Sequence, residues 1–314
     1  MSSFTQLMNQ NRSSRARQRK TANTLMLTLT GLLTVLALVP LFWIIGYVII
    51  RGGKNINLDF FIHLPRPMGM AGGGVLSAIE GTLVVTLLAA VFAIPPGVLA
   101  AFYAARYPNT PLGVALRFST DVLSGIPSIV VGLFAYAVIV VPMKHYSGLA
   151  GGAALAVLML PTIIRTTEEM LKLVPHTLRE ASLGLGAPEW KTSLSVVFPA
   201  AVNGIITGFL LALARAAGET APLLMTALGN ERFDIGQIIR SGVQGHQSVF
   251  TIIGRIINQP VDSLPLALWK YAQQPYPERV EQAWAVALVL MLFVLIVNVT
   301  ARVWLQNRAR HLKG

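Results

Sequence analysis

The 314-residue chain contains no cysteine, which excludes disulfides, thiolate metal sites and cysteine nucleophiles. Charge is also scarce. Charged side chains make up 12% of the sequence, about half the roughly 25% of an ordinary soluble domain. A phosphate-cradling loop is missing. The Lys followed by Ser or Thr are Lys20 and Lys191, preceded by Arg19 and Trp190, whereas a P-loop needs glycine there so that backbone N–H groups can approach phosphate. His63, His145, His176, His246 and His311 are scattered without metal-ligand spacing, and no Ser–His–Asp arrangement can be argued. The residues therefore point away from an enzyme, and no metal or cofactor is expected on this chain.

What is present is apolar surface. Hydrophobic residues make up 54% and mean hydropathy is +0.62. The expected class is all-α: a polytopic membrane protein whose apolar side chains face lipid. Six stretches are long enough to cross hydrocarbon as helices: 24–50, 78–104, 118–142, 147–164, 202–226 and 282–304. Pro95-Pro96 in the second and Pro127 in the third should kink them. Residues 1–20 read as a disordered basic tail with Arg12, Arg15, Arg17, Arg19 and Lys20, and the long apolar run after it reads as a retained span rather than a cleaved signal. Residues 21–314 read as a single transmembrane domain.

The net charge of +12 sorts by loop, which suits membrane orientation better than nucleic-acid binding. With the tail inside, Arg106, Arg117, Arg165, Lys172, Arg179, Lys191 and the basic residues after 301 are cytosolic. Arg51, Lys54, Arg66 and Lys144 are external. Both termini are then cytosolic. A long external loop, 227–281, contains amphipathic pieces, and Trp269, Tyr271 and Tyr276 in it, with Trp284 just beyond, are expected as interfacial anchors. A docking surface for an external partner is the sharper reading.

The cytosolic loop, 165–200, has its own organisation. Pro175 is suited to open a helix over 175–183, with Leu178, Ala181 and Leu185 on one face. Gly184 and Gly186 permit positive φ. Pro188 opens a second helix with Glu189 in its favourable first turn, and Pro199 is expected to close it. An apolar stripe on a cytosolic loop calls for a protein partner.

Arg215 and Glu219 interrupt the fifth stretch in "ALARAAGETAPLL". At i, i+4 on a helix they share one face and offset each other's burial. Either the pair fixes helix packing, or Arg215 lines a path and presents its rigid donor fork to an oxyanion. Thr220 adds a candidate hydroxyl donor.

The loop text Glu180-Ala181-Ser182, three residues, Gly186, nine residues, then Val196-Val197-Phe198-Pro199 resembles the Glu-Ala-Ala loop of ATP-binding-cassette importer permeases. "GIPSIVVGLF", "LPTIIRTTEEM" and "RAAGETAPLL" resemble, within that class, the A-type membrane subunit of phosphate-specific importers. The resemblance implies a type I importer permease fold in a bacterial inner membrane, moving inorganic phosphate inward. It implies two ATPase subunits that carry the ATP and magnesium, a related C-type permease and an external phosphate-binding protein. It gives Glu180, Ala181, Ser182, Gly186 and Pro199 to ATPase coupling, and points to Arg215 and Arg165 in the substrate path with Glu219 and Thr220 beside them. Transport of another oxyanion such as sulfate or molybdate, or an ion-driven transporter or channel gated by the Arg–Glu pair, are the alternatives.

Overall fold

In hydrocarbon a backbone must satisfy its own hydrogen bonds, so apolar runs become helices. The computed structural model describes the backbone of residues 2–67, 70 and 72–311, and the side chains of 19–67, 70, 72–300 and 303. It separates into two units, 1–51 and 52–314.

The first unit holds α1 (Ser2–Gly53). The helix continues back to Ser2. The side chains of Arg12, Arg15 and Arg17 lie outside the described residues. Thr24, Thr28, Thr30 and Thr34 bond carbonyls four residues earlier, so their hydroxyls need no water.

The second unit begins with the short α2 (Leu58–Ile62), then α3 (Leu76–Arg106), α4 (Pro111–Gly125), α5 (Ser128–Ala135) and α6 (Val141–Met143). α7 (Gly148–Lys172) follows, then α8 (His176–Gly184), α9 (Glu189–Thr192), α10 (Phe198–Ala217) and α11 (Ala221–Thr226). α12 (Ile235–Gln244), α13 (Val249–Ile257), α14 (Leu264–Ala272) and α15 (Pro277–His311) complete it. Among the described residues five helices are long and apolar enough to cross a membrane, and six spans result if α4 to α6 count as one bent span.

Small residues let α3 and α7 run close together in parallel. Gly97 of α3 abuts Ile163 and Gly152 of α7 abuts Leu88, leaving no room for a Cβ at either glycine. α10 packs antiparallel to α7: Gly204 meets Met170 and Gly208 meets Thr166. The core between these helices contains Val85, Ala89, Leu155, Met159, Ala212 and Ala216. α3 and α7 end together in Arg106 and Lys172, the basic end of these helices.

Two spans differ from the sequence expectation. The third begins at Pro111, not near 118, and breaks at Ile126-Pro127 with a bend of 104°. The residue before proline disfavours the α region, and Ile126 is extended at φ −75°, ψ 129°. The fifth breaks over Gly218–Thr220 between α10 and α11. The helices that follow the two breaks pack against each other: Gly132 of α5 sits on Pro222 of α11, where a Cβ would come within 2.6 Å of the Pro222 Cα.

Pro199 does not close a helix. The chain is helical from Glu189 to Ala217, with a π turn at Ser193–Val197. A proline ring clashes with the carbonyl four residues earlier, here that of Ser195, and the wider π turn makes room. Tyr136–Val140 is a second π turn and precedes Pro142 in the same way. Pro95-Pro96 is tolerated inside α3.

The 227–281 region is folded rather than loose. It lies across the far ends of α3 and α7: Thr82 Oγ1 accepts from Leu264 N at 2.9 Å, Glu80 Oε2 accepts from Ile235 N at 2.7 Å, and Gly148 N donates to Gln259 O at 2.9 Å. Tyr271 is core, not an interfacial anchor. It is 1% exposed, and the Arg279 guanidinium lies 4.7 Å from its ring centroid. Trp269 and Tyr276 are exposed as expected.

Candidate functional site

The depth of Arg215 follows from helix register. Arg215 is seven residues beyond Gly208 on α10, and Gly208 meets Thr166. Seven residues before Thr166 on the antiparallel α7 is Met159, near the middle of that 25-residue helix. Arg215 thus stands at mid-span, two residues before α10 ends. Its side chain is 65% uncovered by this chain, while the neighbouring Ala214 and Ala216 are buried.

Glu219 lies in the break rather than on the same continuous helix, its N–H donating to Ala216 O at 3.1 Å. Its Oε1 stands 3.9 Å from Arg215 Nε. That distance is a charge contact, not a hydrogen bond, so the guanidinium keeps its donor fork. Thr220 follows at the start of α11, and its hydroxyl makes no capping bond. α5 likewise begins beyond Pro127 with no side-chain cap. Non-helical backbone at mid-span is tolerated where it is buried in protein or lines a water-filled cavity.

The structure does not bring Arg165 to Arg215. Arg165 is six residues beyond Met159 on α7, about 9 Å along the axis. It bonds Asp121 of α4 at 3.0 Å and lies 3.7 Å from Glu169. Next to it is a network that the sequence reading missed. Glu168 is buried and pairs with Arg117 of α4 at 2.7 Å and Lys172 at 2.6 Å. Arg117 also donates to Ala104 O at 2.9 Å, capping the open end of α3. The i, i+4 spacing of Glu168 and Lys172 is readable in the sequence; the partnership with Arg117, 51 residues away, is not. A cavity of about 170 Å³ lies among these groups.

Beyond the basic end, α8 and α9 form the helix–turn–helix expected for 165–200. Pro175 precedes α8 as its cap rather than occupying its first turn. Gly186 has φ +83°, a conformation that favours glycine; Gly184 is helical. Glu180 and Ala181 are exposed, and Leu185 and Trp190 are 90% and 66% exposed. Ser182 is turned inward, its hydroxyl 2.9 Å from that of Thr192. A short structured loop displaying large apolar side chains is the geometry of a docking surface.

Long apolar helices, a cation at a helix break and an exposed helical loop are the features of a membrane permease that works with partner proteins. The chain belongs to the family described as binding-protein-dependent transport system inner membrane component, whose model matches residues 97–311. Within it, the chain is 40% identical to the phosphate transport system permease protein PstA of Yersinia pestis, over 91% of this chain and 90% of that protein. It is 39% identical to the protein of the same name from Pasteurella multocida (strain Pm70), over 93% and 97%. In fold it is similar to a chain of the inward-facing MetNI methionine ABC transporter, with TM-score 0.54, 16% identity, and 74% of this chain and 95% of that chain covered.

Proposed function

We propose that this chain is a transmembrane permease subunit of an ATP-driven inorganic phosphate importer, and that Arg215 meets the phosphate at the fifth-span break. The observation that carries the proposal is Arg215 itself: a mid-span guanidinium with only a 3.9 Å contact to Glu219. An arginine at the centre of a span costs about 2.5–3.5 kcal/mol on insertion scales, so a site that keeps one uncovered is suited to an anion. The planar fork matches two phosphate oxygens at once. Glu219 holds the guanidinium when the site is empty and yields it when phosphate arrives. The Thr220 hydroxyl is a further donor in the same break. Arg165 is the next cation toward the basic end, reached when Asp121 releases it.

Orientation follows from the charges. The basic end is cytosolic, so six crossings place both termini in the cytosol and the 227–281 region outside, where a phosphate-binding protein delivers the anion. Glu180, Ala181 and Gly186 form the docking face for the ATPase subunits, two in the complex, which supply ATP and magnesium, and Ser182, bonded to Thr192, braces that face from within. Pro199, with its π turn, sets the angle at which the docked segment enters α10. The transmembrane partner is a related C-type permease, the remaining surface meets lipid, and nucleic acid has no part.

The test is phosphate uptake by the complete complex in proteoliposomes. Arg215→Gln is expected to lower uptake by about tenfold or more, the loss of a charge-assisted bidentate contact, while the ATPase still co-purifies. Excess sulfate or molybdate should not compete. Normal uptake by Arg215→Gln contradicts the path role, and competition by sulfate contradicts the assignment to phosphate.

A further inference from the structure

The docking loop and the bundle meet across an incompletely packed seam. α8 rests on α9 and the following π turn, and the Ser182–Thr192 hydroxyl bond joins them. From Glu189 the helix is unbroken to Ala217, so the docking helix and the segment that carries Arg215 form one mechanical piece. Between this piece and the basic ends of α3 and α7 lies a cavity of about 190 Å³, lined in part by Phe102, Ala105, Leu171, Val174 and Val197. One side chain spans the seam with a charge: Arg106, the last residue of α3, donates from Nη2 to Glu189 Oε1. Arg179 of α8 approaches the same oxygen at 3.8 Å.

Stability does not account for this contact. The Glu189 side chain is 56% exposed, where an ion pair adds little. Its two arginines, however, are 24% and 25% exposed, so packing fixes where they point. One carboxylate is thereby held by an arginine of the bundle and an arginine of the docking helix. α3 in turn runs against α7 along its length, and α7 packs on α10 through Gly204, Gly208, Ala212 and Ala216, the segment that carries Arg215.

We propose that Glu189 is a positioning residue for energy coupling: through Arg106 it links the docking helix to α3, so that displacement of the dock moves α3 together with the α9–α10 helix. The proposal rests on the reading of the chain as a permease driven by a separate ATPase.

The test uses the complete complex in proteoliposomes, with ATP hydrolysis and phosphate uptake measured on the same preparation. Glu189→Arg and Arg106→Glu should each lower the phosphate moved per ATP by about fivefold or more, the lower end of typical coupling strengths. The exchanged double variant should restore it. Glu189→Gln, which keeps the volume and removes the charge, should lower the ratio and is the deciding variant if a reversal fails to assemble. An unchanged ratio in the assembled single variants, or no recovery in the exchange, overturns the proposal. A wild-type complex that hydrolyses ATP without moving phosphate overturns the substrate assignment instead. Coupling is then read from a thiol placed at the seam by Ala105→Cys. Its ATP-dependent change in labelling rate should vanish with Glu189→Arg and return in the exchange; persistence in Glu189→Arg overturns the strut.

Discussion

At the scale of single residues, two charges are handled in opposite ways. Arg215 is left uncovered by its own chain at mid-span, with one carboxylate 3.9 Å away, so its charge is available. Asp262 is fully buried at the far end of the bundle, where its backbone oxygen presses on Gly81 and neither carboxylate oxygen accepts a well-formed hydrogen bond. Lys270 Nζ stands 3.6 Å from it. Burial pushes the Asp262 carboxyl from 3.8 up to about 6, against the attraction of Lys270. In that interval the folded state binds more protons than the unfolded one, so this group's stabilising contribution is complete below about 4 and lost as pH rises through about 6. Thermal unfolding of the purified protein, scanned from acid to neutral pH, should therefore lose more stability with rising pH in wild type than in Asp262→Asn. Identical slopes in the two proteins would contradict the assignment.

At the scale of elements, proline and glycine decide where helices stop being regular. Pro127 breaks the third span, Pro142 and Pro199 each follow a π turn, and Gly186 supplies the left-handed residue that turns α8 toward α9. The open space around Gly186, with no atom within 4 Å of an added Cβ, means that a side chain there starts into open space rather than against this chain. Gly186→Arg costs about 1 kcal/mol through its left-handed backbone, which leaves the bundle folded, but it places a bulky cation in the dock. Co-purification of the ATPase with this variant should fall sharply, and unaltered co-purification with normal uptake would refute the docking role of the turn.

At the scale of the whole molecule, the sequence is most legible where lipid dictates the answer. Long apolar runs became the spans because hydrocarbon leaves the backbone few alternatives. The Arg215–Glu219 proximity and the positive φ of Gly186 were readable from spacing and residue type. The fifth-span break was not, because Gly218 and Thr220 are both tolerated inside helices and the break is seated by Gly132 on Pro222, a long-range contact. The burial of Tyr271 and the Arg106–Glu189 contact, 83 residues apart, are invisible for the same reason. Depth likewise came from packing, since only the meeting of Gly204 with Met170 and Gly208 with Thr166 sets Arg215 at mid-span. That depth, together with contact with water, decides whether Arg215 can meet a passing anion. The absence of cysteine allows a direct test: Arg215→Cys and Ala216→Cys, each the sole thiol in the chain, treated in the assembled complex with a charged, membrane-impermeant thiol reagent and read by mass spectrometry of this subunit. The 65% uncovered position 215 should be modified, and the 2% exposed position 216 should not. An Arg215→Cys thiol as unreactive as that of Ala216→Cys would place the residue against lipid or protein and contradict a phosphate path at Arg215.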